Sequence, residues 1–128
     1  MEITLDTHSL LWYLDENLNN KLSKNAFNAI KKAEKQGTIY ISVITLVEIL
    51  YLIEKGRINY NFNFILDTLE ESDIYCIIPL DICILQEIEN LKGLETHDRI
   101  ILSTAKATNS TLISKDEIIR KNYQETLW

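Results

Sequence analysis

Four acids in this chain, Asp6, Glu48, Asp98 and Asp116, each stand just after or beside a segment that reads as the exit from a strand. In an open parallel sheet, residues past the carboxyl ends of the strands converge on one crevice, where such folds bind ligands. Four like charges crowded there repel, so either some stay protonated or a cation holds them. Carboxylate oxygens are hard donors that select hard divalent ions such as Mg²⁺ or Mn²⁺. The chemistry to expect is metal-dependent work on a phosphate.

Each acid also has a plainer account. Asp6 ends an apolar run and is a good N-cap for a helix from His8, while Thr7 offers a hydroxyl that could ligate or orient the carboxylate. Glu48 sits inside the apolar run Val43–Ile53, where an unpaired charge is costly. A capping box formed by Thr45 and Glu48 would explain it only if the helix began at Thr45, and Ser42 is as good a start. Asp98 and Asp116 stand at helix starts and could be caps. What outweighs these separate accounts is that all four acids fall on the same edge of one sheet.

Other polar residues carry less. His8 and His97 are not four apart and read as structural or exposed residues. Arg99 is the basic residue best placed to touch a phosphate, with an ion pair to Glu95 or another acid as the alternative. Lys21, Lys24, Lys31, Lys32 and Lys35 give the second helix a basic side, normally a solvated face, which could track a nucleic-acid backbone.

The elements that must position these groups alternate. Ile3–Leu5, Thr38–Ile41, Ile74–Ile78 and Thr111–Ile113 are strand-like runs, and Tyr123–Trp128 could add an edge strand. Between them, helical spacing recurs at Leu10, Leu11 and Leu14, through Lys21–Gln36 up to Gly37, across Val43–Ile53, and at Phe62, Ile65, Leu66 and Leu69. It resumes at Ile82, Leu85, Ile88 and Leu91, and again at Ile100, Ile101, Leu102 and Ala105. Strands alternating with helices predict a parallel sheet covered on both faces: a three-layer α/β/α sandwich with four to five strands. The helix over Val43–Ile53 is apolar nearly all round, more than one sheet face can cover, so an interface with another chain is expected there, aided by Tyr60, Phe62 and Phe64.

The totals set bounds. At 128 residues the chain fits one domain, residues 1–128, with 46% hydrophobic and 25% charged residues, ordinary for a soluble globular protein. No apolar run approaches the roughly 20 residues of a membrane span. Met1–Asp6 has no basic n-region, so no secretory signal and a cytoplasmic location are expected. Cys76 and Cys83 are spaced neither as a metal knuckle nor as a disulfide framework, and are expected as buried fillers in a reducing compartment. A net charge of −6 disfavours coating nucleic acid by bulk electrostatics, but a cation-loaded acidic site can still meet a phosphate. No Gly-rich phosphate loop or nucleophile elbow is present, and His8 rules out a D-x-D phosphatase. A phospho-acceptor receiver module would need a pair of acids after the first strand, where only Asp6 stands, with Asp81 and Lys115 pressed into the remaining roles.

These residues together resemble the PIN-domain ribonucleases, and within them the VapC-type toxins of toxin–antitoxin pairs. The matching pieces are D-T-H-S-L-L-W-Y-L at Asp6–Leu14, S-V-I-T-L-V-E-I at Ser42–Ile49, H-D-R-I-I-L-S-T-A at His97–Ala105 and L-I-S-K-D at Leu112–Asp116. Where related chains often carry D-P-x-D-R, this one has Glu95-Thr96-His97-Asp98-Arg99, without the proline and first aspartate. The resemblance implies that Asp6, Glu48, Asp98 and Asp116 form an acidic site for Mg²⁺ or Mn²⁺, with Thr7 and Ser114 as accompanying hydroxyls. It further implies an RNA substrate and a cognate antitoxin, and the interface expected on the Val43–Ile53 helix suits both a homodimer and an antitoxin groove. A catalytically inactive adaptor of the same fold is the alternative, disfavoured by retention of all four acids.

Overall fold

The computed structural model describes residues 2–128. Five strands, β1 (Glu2–Leu5), β2 (Thr38–Ser42), β3 (Tyr75–Ile78), β4 (Thr111–Ile113) and β5 (Thr126–Leu127), form one sheet in the order β3-β2-β1-β4-β5. Every pairing is parallel, with Ile3 opposite Ile39 on one side and Thr111 on the other. From β1 the chain steps outward to β2 and β3, then returns to place β4 and β5 on the other flank. The strand order therefore reverses between β1 and β4, which opens a crevice past their carboxyl ends.

Alternation along the strands supplies both sheet faces. Ile3, Leu5, Ile39, Ile41 and Ile113 point into the larger core, which packs against α1 (Thr7–Leu14), α2 (Lys24–Gln36), α3 (Val43–Glu54) and α4 (Phe62–Glu70). Leu112 faces the other way, into a smaller cluster with Leu94, Ile101, Leu102, Ala105 and Ile119. That second layer is built from α5 (Ile82–Ile88), α6 (Thr96–Thr108) and α7 (Glu117–Asn122). Thr4 lies on this face and satisfies its buried hydroxyl with Ser110 Oγ at 2.6 Å. The expected three-layer sandwich is what forms, with the tail as fifth strand.

Several local expectations are corrected. The second helix begins at Lys24 rather than Lys21, because Ser23 caps it by accepting from Ala26 N–H; Glu16–Lys21 is a 3₁₀ turn. On α3 the expectation of surplus apolar surface stands instead, with Val47 and Tyr51 55% and 52% exposed. Cys76 and Cys83 are both exposed: Cys76 is on the edge strand β3, and Cys83 is in the first turn of α5, where only Ile84 packs inward. The stripe expected to pack that helix fails likewise, with Ile82 66% exposed.

Candidate active site

At the strand reversal, β1 is followed directly by Asp6, and β4 leads through Ser114 and Lys115 to Asp116. Both connections cap the helix that follows. Asp6 accepts from Ser9 N–H at 2.9 Å, fixing the first turn of α1. Asp116 Oδ1 accepts from the N–H groups of Ile118 and Ile119, at 2.8 and 3.1 Å, and starts α7. Capping and placement in the crevice are thus compatible for these two acids.

The other pair comes from helices crossing the same edge. Ser42 caps α3 through Ile44 N–H, so the helix starts two residues before Thr45 and the capping-box account of Glu48 fails. In the first turn of α6, the N-cap Glu95 makes no side-chain cap bond and Asp98 is not a cap. Glu48 and Asp98 are therefore half-buried carboxylates that serve no helix end. Burial of such groups without compensation costs stability.

One cavity of about 610 Å³ is lined by Asp6, Glu48, Asp98 and Asp116, together with Thr7, His8, Trp12, His97, Lys115 and Ile118. Electrostatics tie the acids together. Burial pushes the Asp98 carboxyl up from the ordinary 3.8 to about 6; His97 opposes this, while the carboxylates of Asp116, Glu48 and Asp6 each add to it. Three acids from three other elements thus act on the fourth. No three of the four, however, bring a carboxylate oxygen each within 4.8 Å of one another among the described residues. The tight set among the described residues is Glu95, His97 and Asp98, whose donor atoms lie within 4.8 Å of one another.

The residues fit a hard divalent cation on two observations. The donors are carboxylate oxygens, and Thr7, a cavity-lining residue only 3% exposed, has a buried Oγ1 without a hydrogen-bond partner. A buried hydroxyl left without a partner calls for an ion or an ordered water beside it. Ser114 plays a different part: its buried Oγ accepts from Asp116 N–H at 3.1 Å and shapes the loop that carries that acid.

Two basic groups are placed otherwise than expected. Arg99 does not line the cavity: its Nε donates to Leu94 O at 2.9 Å, holding the segment before α6. His97 is the residue the sequence understated. Its Nε2 lies 3.4 Å from Glu48 Oε2 and 3.4 Å from Asp98 Oδ1, and its Nδ1 lies 3.7 Å from Glu95 Oε2. His8 lines the cavity as well. The phospho-acceptor arrangement does not assemble, because Asp81 caps α5 through Ile84 N–H and lies outside the cavity.

Residues 3–124 match the family model of the PIN domain. In fold, the chain is similar to a chain of VapBC2 from Rickettsia felis, crystallised bound to a DNA fragment from their promoter. That match has a TM-score of 0.72 at 21% identity and covers 99% of this chain and 96% of that one. A toxin–antitoxin complex from Klebsiella pneumoniae matches with a TM-score of 0.66 at 20% identity, covering 98% and 96%. FitAcB from Neisseria gonorrhoeae matches with a TM-score of 0.64 at 20% identity, covering 91% and 89%. No curated protein matches in sequence.

Proposed function

The chain belongs to the PIN-domain family, and from that premise we propose that it is the toxin of a toxin–antitoxin pair: an endoribonuclease that hydrolyses RNA phosphodiesters with Mg²⁺ or Mn²⁺. The observation that carries this reading is the convergence of Asp6, Glu48 and Asp116 on a raised Asp98 at the strand reversal. Uncompensated, that cluster is a standing destabilisation, and proteins retain such clusters where a ligand uses them.

Asp6 and Asp98 would hold the ion, with Glu48 and Asp116 completing the ring and Thr7 Oγ1 satisfied beside it. A bound divalent ion lowers the pKa of its water and offsets charge on the phosphodiester. The rest falls to the chain's own groups. Glu48, steadied by His97, is placed to take the proton of the attacking water as the new P–O bond forms; the leaving P–O bond breaks and the departing oxygen takes its proton from bulk water. Asp116 spends Oδ1 on the α7 cap and keeps its second oxygen for the cavity. Lys115, on the cavity wall, offers a cation to a phosphate oxygen.

The partner proposed is a cognate antitoxin seated in a second groove of about 420 Å³, lined by Leu11, Leu14, Tyr60, Phe64 and Ile65 among others. Phe64, 71% exposed, stands at its edge. The likeness to a toxin–antitoxin complex supports this choice. A second copy of the chain is proposed to cover Val47 and Tyr51, one turn apart on α3. No helix among the described residues is long and apolar enough to cross a membrane. Action in the cytoplasm, where RNA is met, is part of the same proposal.

The test is cleavage of single-stranded RNA with Mg²⁺ or Mn²⁺ and its loss on chelation. Asp6→Asn and Asp98→Asn should each abolish cleavage while circular dichroism and thermal unfolding report an intact fold. Full activity in either variant would overturn the assignment.

A further inference from the structure

A polyanion faces a difficulty at this site. The chain carries a net charge of −6 and the cavity is ringed by acids, so an ion there neutralises the reacting phosphate while leaving the flanking nucleotides unattracted. Binding energy for those nucleotides must come from something other than bulk charge. One wall of the cavity is of another kind. His8 and Trp12, four apart on α1 and therefore on one face, meet with ring centroids 5.5 Å apart and ring planes tilted by 47°. Trp128 meets Trp12 edge to face at 6.0 Å, and Lys21 Nζ stands 5.9 Å from the Trp12 ring centre. Ile118, which lines the same cavity, is 51% exposed, an apolar side chain held at the mouth of an acidic pocket.

We propose that this aromatic wall, centred on Trp12 with His8 beside it, is a stacking subsite for an unpaired RNA base next to the scissile phosphate, with Lys21 meeting the adjoining backbone. The inference rests on the nuclease reading above and adds to it the part of the substrate that the wall grips. A π-face stacks on any base, so this grip is tolerant of sequence and indifferent to net charge. It also demands a base free of a helix, since a paired base does not present its face. A cavity of about 610 Å³ lies within the range of sites that enclose a small ligand. The competing account is that Trp12 and Trp128 merely pack the tail onto the core, which both of them also touch.

The chain has two tryptophans, both in this cluster, so fluorescence excited where tryptophan absorbs and its six tyrosines do not reports on the proposed subsite. Asp98→Asn protein, folded but unable to cleave, is titrated in Mg²⁺ with a short single-stranded RNA, with the same strand in a duplex, and with a version lacking bases at the central positions. Quenching by the first and not by the other two is the result expected. In cleavage assays Trp12→Leu should raise KM about 10-fold with kcat within about threefold, and Trp12→Phe should restore most of the loss. His8→Ala, at an exposed position, should raise KM about threefold, which tests the wall even where the leucine variant fails to fold. Cleavage with unchanged KM in His8→Ala and Trp12→Phe, together with no base-dependent quenching, overturns the subsite and leaves the nuclease reading intact. Base-dependent quenching in a wild-type protein that cleaves no RNA upholds the subsite and removes the nuclease reading instead.

Discussion

His97 Nε2 sits 3.4 Å from Glu48 Oε2 and so joins the start of α6 to the middle of α3 across the cavity. The same nitrogen is 3.4 Å from Asp98 Oδ1, and its charge lowers the pKa of that carboxyl against every neighbouring acid. Two consequences follow for His97→Ala. Glu48 loses the partner that orients it, and lost support of this kind typically costs about 10–100-fold in activity or metal affinity. Asp98 loses its one opposing influence, so in chelator its carboxyl protonates at higher pH. An Asp98 titration that NMR finds unmoved in chelator would show that the imidazole does not govern it.

Asp98 itself makes the metal-free fold sensitive to pH. Its folded pKa, about 6, lies above the ordinary 3.8, so the folded state holds the proton more tightly than the unfolded chain. The sign is therefore unusual for an aspartate: its contribution is fully present below about pH 4 and is lost as pH rises through about 6. Asp98→Asn removes the charge that the fold disfavours. In chelator at neutral pH the variant should unfold a few degrees higher than wild type, on the order of 1 kcal/mol for a domain of this size, and should lack that part of the pH dependence. Thermal melts between pH 4 and 7 decide it; a variant less stable than wild type at pH 7 would contradict the burial argument.

Asp116 separates charge from structure. Its Oδ1 takes two backbone amides at the head of α7, a duty that an asparagine carbonyl can also perform. Asp116→Asn should keep the unfolding temperature while losing activity. Asp116→Ala should lose activity and also about 1 kcal/mol of stability with the cap. Equal stability in the two variants would mean that the cap contributes little here.

The arrangement of the site was partly legible before any coordinates. Asp6 follows a strand directly, Asp116 follows one at three residues, and Glu48 is a lone charge in an apolar run, so position and desolvation marked each. The role of His97 is not legible in its spacing from His8, because its partners lie on its own helix turn and on α3, a packing that no local spacing encodes. Arg99 was misplaced for a reason that helix geometry does contain. Successive residues turn about 100° around the axis, so a helix that aims Asp98 into the cavity swings Arg99 away from it. Cys83, Ile82 and Leu85 were misjudged because apolar composition was taken for burial, while α5 has a core beneath only one of its sides.

Arg99, turned from the cavity, yields a prediction opposite to that for a phosphate contact. Its guanidinium holds Leu94 O at 2.9 Å, and Leu94 is a buried member of the smaller core. Arg99→Ala should cost about 1–2 kcal/mol of stability, the scale of a charge-assisted hydrogen bond to the backbone. The salt dependence of RNA binding should not change, since no phosphate contact is lost. A shallower salt slope in the variant would return Arg99 to the substrate.

The two apolar surfaces make separable demands. Phe64, 71% exposed, borders the groove of Leu11, Leu14, Tyr60 and Ile65, whereas Val47 and Tyr51 lie on α3 outside the residues lining that groove. Neither exposed ring contributes much to the monomer's core, so changing either to serine should leave the unfolding temperature within a few degrees. Phe64→Ser should weaken capture of the antitoxin at least about 10-fold, as expected for an aromatic anchor in an apolar groove, with self-association unaffected. Tyr51→Ser should shift sedimentation toward a single chain and leave antitoxin binding in place. Loss of both interactions from one substitution would mean that the surfaces are continuous, with dimer and antitoxin sharing one interface.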